Sequence, residues 1–249
     1  MNTWANIKTI AKRELGAYFS SPLAYVFIVI FLLLCGFFTF AVKPTLLDRG
    51  QASLSMTFFF WHPWFYLFLV PAVGMRLWAE ERRVGTLELL LTMPITTWQA
   101  IVGKFLASSL FLGLALVLTF PVVITVNYLG SPDNGVILAG YIGSWLMAGA
   151  YLAVSCITSA MTRTQVVSFI VSLVVCLFLI LAGFQPVVDT MNDWFGSRAA
   201  DTVAAFSVIT HFDGFQKGIL DSRDVLFFLS LIGFSLFSTS VILRGHRAG

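Results

Sequence analysis

The chain has 249 residues, 58% of them hydrophobic, 15% aromatic and 11% charged, with a formal net charge of +3. A soluble domain carries about 25% charged residues, so the composition excludes an ordinary soluble enzyme. The slight basic excess is too small to mark a nucleic-acid footprint, and no nucleic-acid partner is expected.

Residues 1–22 predict an amphipathic helix lying on the membrane. Trp4, Ile7, Ile10, Ala11, Leu15, Tyr18 and Phe19 recur at helical spacing, with Thr9, Lys12 and Arg13 opposite. Ser20-Ser21-Pro22 stops this helix and starts the next, because proline disfavours helical geometry at the residue before it. Glu14 interrupts the apolar arc, and two readings stand: a local ion pair with Arg13 or a surface Lys, or a partner in the basic loop after the second span.

Six stretches without Lys, Arg, Asp or Glu, 23–42, 51–75, 105–132, 134–162, 164–188 and 225–243, predict transmembrane helices at 23–42, 57–76, 100–128, 136–160, 165–185 and 225–243. Each suffices for a hydrocarbon core about 30 Å thick at about 1.5 Å per residue. The first resembles a signal peptide in its basic approach, yet it is of full spanning length and no small-x-small site follows it, so it is expected to remain. What lies between the spans is too short for a separate catalytic domain, so 1–249 reads as one all-α integral membrane domain of six helices. Ten Lys and Arg fall on the side of the termini and five on the other, which predicts cytoplasmic termini.

The loop and short helix over 80–95, between the second and third spans, carries the densest information. Arg76, Glu80, Glu81, Arg82 and Arg83 bring five charges within eight residues, which must sit at or below the interface. Gly85 allows a sharp bend, Thr86 is an acceptable N-cap, and Glu88 lies where the helix dipole favours an anion. Leu87, Leu90 and Leu91 give the helix one apolar face, and Pro94 ends it. Thr96 and Gln99 form the pattern of a capping box for the third span, which Trp98 and Lys104 anchor at the interface. A plain solvated turn would need neither the leucine face nor two caps, so the pattern favours a docking helix for a separate motor.

Further along, Gly140, Ser144 and Ala148, with Gly149 and Ala153, repeat small residues on the fourth span; they serve packing within the bundle or against a sister subunit. Pro63, Pro71 and Pro121 bend the second and third spans, and His62 sits near the outer end of the second. The 186–224 stretch reads as an external re-entrant helical segment, with Phe206, Phe212 and Phe215 folding back on the bundle; a plug and a gate are both open readings. His211 is read as solitary, without metal-ligand partners, and Cys35, Cys156 and Cys176 as small hydrophobes inside spans.

The order Arg76-x-x-Ala79-Glu80-Glu81-Arg82-Arg83-x-Gly85-Thr86-x-Glu88-x-Leu90-Leu91-Thr92-x-Pro94 resembles the coupling-helix signature of ABC-2 type exporter permeases. Gly103-Lys104, Lys12-Arg13-Glu14-Leu15, and the run from His211 to Asp224 extend the resemblance over essentially the whole chain, closest to the gliding-motility-type (GldF-like) bacterial branch. Gly74 departs from the pattern, where a hydroxyl residue is expected.

The resemblance implies a half-transporter in the bacterial cytoplasmic (inner) membrane. It pairs with a second copy or a related permease and docks an ABC ATPase through the 80–95 helix, with an envelope-domain companion as a further partner. It implies docking charges at Glu80, Glu81, Arg82, Arg83 and Glu88, a leucine seat at Leu87, Leu90 and Leu91, and Glu14 in the same layer. ATP and Mg would sit on the partner: no G-x-x-x-x-G-K-[ST] occurs here, so this chain is expected to hold no cofactor and to be no enzyme itself. The alternatives are an ATPase-driven mechanotransmission device without cargo, and an ion-coupled carrier or channel, which the charge-free spans disfavour.

Overall fold

The computed structural model describes residues 3–43, 46, 53–86 and 95–245, and these form helices joined by short turns, with no strand among them. The predicted amphipathic helix is α1 (Thr3–Phe19), and α2 (Pro22–Phe40) follows directly. Ser21 caps α2 in extended geometry (φ −99°, ψ 132°), accepting from the Leu23 amide while Pro22 takes the first helical position. α1 is more than a float on the membrane. Its Ile7 and Ile10 are buried against α5 (Thr97–Val117), the helix that opens the predicted third span.

The predicted second span is not one helix of spanning length. A 3-10 turn, Phe59–Trp61, leads into α3 (His62–Gly74), whose 13 residues rise about 20 Å. The chain then breaks at Met75 and continues as α4 (Arg76–Val84), so residues expected as loop are helical. The third span is divided as well: α5 ends at Val117 and α6 (Phe120–Leu129) resumes after Thr119, with Pro121 in its first turn. Thr119 occupies the break, its Oγ1 2.6 Å from the Leu116 carbonyl and 2.7 Å from the Tyr141 hydroxyl.

α7 (Asn134–Met161) is the axis of the molecule. It packs against α3, α4, α5, α8 (Gln165–Leu181), α11 (Val208–Gln216) and α12 (Ser222–Gly245). Its small residues make this possible. A Cβ on Gly140 would lie 2.5 Å from the Phe59 ring and one on Gly143 2.5 Å from the Phe215 ring. The small-residue pattern therefore serves packing within this bundle. Gly74 of α3 meets α7 equally closely, since a Cβ there would stand 2.3 Å from Ser155 Cβ. The hydroxyl residue expected at position 74 has no room in this packing.

Among the described residues, four helical stretches are long and apolar enough to cross a membrane: α2, the α5–α6 pair over Thr97–Leu129, α7 and α12. A fifth is added if α8 and α9 (Gln185–Phe195), bent by 70° at their junction, count as one span. The chain is thus a multi-pass helical membrane protein. Within the predicted external stretch, α9 buries nothing and α10 (Ser197–Ala204) buries only Ala200, whereas α11 inserts fully buried Phe212 and Phe215 against the bundle. His211 is not solitary: Nδ1 lies 2.7 Å from Asp224 Oδ1, Nε2 3.0 Å from the Ala205 carbonyl, and the ring stacks on Phe227 at 3.9 Å. It fastens α11 to the start of α12.

Candidate functional site

The charged end of the bundle is built from three helices that the sequence separates widely. α4 carries Arg76, Glu80, Glu81, Arg82 and Arg83 beyond the break at Met75. Its start lacks a local cap, and α7 supplies one instead. The Ser159 hydroxyl accepts from the Trp78 and Ala79 amides at 3.0 Å each and donates to the Met75 carbonyl at 2.9 Å. Those amides belong to the first turn, which has no partner within its own helix. With Leu77, Trp78 and Ala79 buried beneath it, α4 is held rigidly to the bundle.

Its far end obeys local rules. Arg82 and Arg83 lie in the last turn, where the helix dipole favours cations, and Gly85 closes it in left-handed geometry (φ 76°, ψ 10°). The bend expected at Gly85 is this cap. Thr86 follows at the surface. Leu87, Glu88, Leu90, Leu91 and Pro94 lie outside the described residues, and the chain is described again at Ile95. From there the anticipated capping box is complete: the Thr96 hydroxyl accepts from the Gln99 amide at 3.3 Å, and the Gln99 side chain accepts from the Thr96 amide at 3.1 Å.

The centre of the site is a residue that sequence reasoning assigned elsewhere. Lys104 is not an interfacial anchor; its side chain is 4% exposed. Its Nζ lies 2.8 Å from Glu81 Oε1 and 3.4 Å from Glu14 Oε1, and 5.4 Å above the centre of the Trp78 ring. The local ion pair expected of Glu14 is present, and a second, long-range partner is added to it. Arg13 does pair with it at 2.8 Å, but its long-range partner is a lysine of the third predicted span rather than a base of the loop. Burial pushes the Glu14 carboxyl pKa up, and the Lys104 and Arg13 cations outweigh that and hold it below its ordinary value.

α1 can reach Lys104 because Gly103 precedes it. A Cβ at Gly103 would stand 2.8 Å from Ile10 Cγ2 and 3.3 Å from the Ile7 carbonyl. One turn on, the Tyr18 hydroxyl lies 2.8 Å from Ser108 Oγ and its ring stacks on Phe111 at 5.1 Å. Between α1 and α4 a cleft of about 210 Å³ remains, lined by Glu14, Tyr18, Arg76, Leu77, Glu80 and Lys104 among others.

Of the other predicted site charges, Arg83 is exposed and Arg82 is partly buried. Glu80 pairs with Arg83 at 2.7 Å, one turn apart. Arg82 is disfavoured as a cation first by burial and then by the neighbouring Arg163. The structure thus gathers Glu14, Arg76, Glu80 and Glu81 around one cleft, adds Lys104, and leaves Arg82, Arg83, Gly85 and Thr86 outside its lining. The signal for Lys104 lay in the sequence: it is the one charge inside an otherwise apolar helix, and it follows a glycine.

Elsewhere the interior is uncharged. Among the described residues Lys104 is the one buried charged side chain; the other buried polar groups are hydroxyls, two glutamines and His62. His62 is enclosed by aromatic rings, with Nδ1 3.3 Å from Ser144 Oγ and Nε2 3.9 Å from Cys35 Sγ. The three cysteines are buried and unpaired. A proton or ion relay through the spans would need carboxylates that are absent from the buried groups described.

Residues 43–212 match the family model described as ABC-2 family transporter protein, more than half of the chain's 249 residues. The matched region runs from the end of α2 into α11 and includes α4 and the 80–95 loop. No curated protein matches the chain significantly.

Proposed function

The chain belongs to the ABC-2 family of transporter proteins, and on that premise we propose that it is the permease half of an ATP-driven exporter whose motor is a separate ABC ATPase. The observation that carries this reading is α4, a nine-residue helix with five charges, capped from α7 and bound by an ion pair to α5, standing directly before the leucine-bearing stretch 87–94. A force applied at 87–94 meets a rigid element rather than a loose loop. An ABC ATPase that closes on ATP needs such an element to move the spans.

The finer parts of the proposal follow. Six spans cross the inner membrane with both termini cytoplasmic, the 57–76 stretch with α3 serving as the second and α4 continuing it beyond the interface. Two permease chains, identical or related, face each other. Leu87, Leu90 and Leu91 seat in an ATPase groove, with Glu80, Arg83 and Glu88 around it, while Glu14, Arg76 and Glu81 carry the displacement inward. ATP and Mg are bound by the partner. The placement closest to the gliding-motility-type branch, with an envelope companion, rests on the motif resemblance alone.

The test is affinity purification of the tagged chain from its native membrane in mild detergent, with mass spectrometry and an ATPase assay. A stoichiometric P-loop ATPase is expected to co-purify, and Leu90→Asp or Glu80→Lys is expected to release it while the permease remains monodisperse. Recovery of the intact chain without any ATPase would return the function to a stand-alone carrier. Retention of the ATPase by both variants would remove the docking role from this helix.

A further inference from the structure

We propose that Lys104 is the positioning residue that makes α1 and α4 move as one body, so that a displacement of α4 reaches the N-terminal helix through a single buried ammonium. The inference deepens the transporter reading above and rests on it for its functional consequence, but not for its structural content. Three observations carry it.

The first is the layout of contacts. α1 packs broadly on α5, whereas α4 packs on α3, α7 and α8 and has broad backbone contact with neither α1 nor α5. Among the described residues, the ion pairs that link α1 to α4 at this end run through the Lys104 side chain. It meets Glu14 of α1 at 3.4 Å, Glu81 of α4 at 2.8 Å and the face of Trp78 of α4 at 5.4 Å.

The second is burial. The Lys104, Glu14 and Glu81 side chains are 4%, 18% and 16% exposed. An exposed ion pair exchanges partners with water at little cost, but here the cation is buried and its two carboxylates are largely shielded, so breaking the set leaves poorly compensated charge. Here a single cation serves two carboxylates on different helices. Its loss would therefore free both contacts at once, whereas the loss of either carboxylate frees only one.

The third is the space made for the contact. Gly103 lets the Ile7–Ile10 turn of α1 lie directly on α5, which brings Glu14 within reach of the lysine one residue later. Glycine is a poor helix former, and here it permits the close approach that the link requires.

The experiment places spin labels on α1 and α4 at exposed positions, through Thr9→Cys and Val84→Cys, in the chain reconstituted in liposomes. The three native cysteines are buried. With Lys104 present, and with Lys104→Arg, the interlabel distance distribution is expected to be narrow and to stay the same when the co-purified ATPase is trapped with ATP and vanadate. In Lys104→Met it is expected to at least double in width. The ATPase remains bound, and its permease-stimulated turnover falls about tenfold, a coupling of ordinary size. Glu14→Gln, which leaves the Lys104–Glu81 pair in place, supplies a second variant should Lys104→Met fail to fold. It is expected to broaden the same distribution without loss of ATPase binding.

A narrow, unshifted distribution in Lys104→Met, or in Glu14→Gln where that is the folded variant, would overturn the link. Broadening with wild-type turnover would overturn its role in coupling. The interlabel distance is also read on the permease without ATPase, so failure to recover any ATPase would count against the transporter assignment and leave the Lys104 link still measured.

Discussion

Glu14 balances opposing effects, and their sign sets a pH dependence. Burial favours its neutral form, while Lys104 and Arg13 favour the carboxylate strongly enough to hold the pKa below the ordinary 4.5. A depressed folded-state pKa contributes stability that is fully present above pH 4.5 and is lost as pH falls from there through the lowered value. Acidification below pH 4.5 is therefore expected to loosen α1, read as increased mobility of a spin label at Thr9. Glu14→Gln is expected to flatten that titration; an unchanged acid transition in the variant would assign it to another carboxylate. Arg13, 55% exposed at its side chain, contributes to the charge balance but not to the geometry, because solvent screens it.

At the scale of elements, α4 depends on a cap from another helix. Glycine ends it locally, yet its start is satisfied by Ser159, 81 residues away from Trp78 in sequence. Ser159→Ala would leave the Trp78 and Ala79 amides without that acceptor and is expected to destabilise the protein by about 1–2 kcal/mol. The check is a thermal melt in detergent together with faster hydrogen exchange at Arg76–Val84; a melt within error of the parent would show that water replaces the hydroxyl. The break in the third predicted span follows the same logic. Thr119 and Pro121 interrupt the helical ladder, and the Thr119 hydroxyl bonds to both Leu116 and Tyr141.

For the whole molecule, α7 sets the tolerances. Its glycines admit Phe59 and Phe215, so the rings at the base of α3 and within α11 lock onto one helix. Gly143→Leu would drive a side chain into the space of the Phe215 ring and is expected to cost about 1–3 kcal/mol. It is also expected to release α11, detected as new protease sensitivity across 197–224. Protection equal to the parent would mean that α11 is held instead by its His211–Asp224 fastening. Among the described residues the interior around α7 is uncharged, and the one buried cation lies at the α1–α4–α5 end.

Composition and charge spacing alone determined that this chain is a helical membrane protein, because an apolar run of twenty residues has few ways to satisfy its backbone other than by spanning a bilayer. Local chemistry was equally legible where it is local: the Ser21-Pro22 start of α2, the Thr96–Gln99 capping box, and the left-handed Gly85 all lie within a few residues of the groups they satisfy. Only the tertiary structure decided that the 57–76 stretch is a turn and a short helix and that α4 is capped from α7. It alone decided that His211 is paired and that Lys104 lies buried between Glu14 and Glu81. Each of these joins groups far apart in the chain, and helical periodicity reports which face a residue occupies but not which distant face it meets.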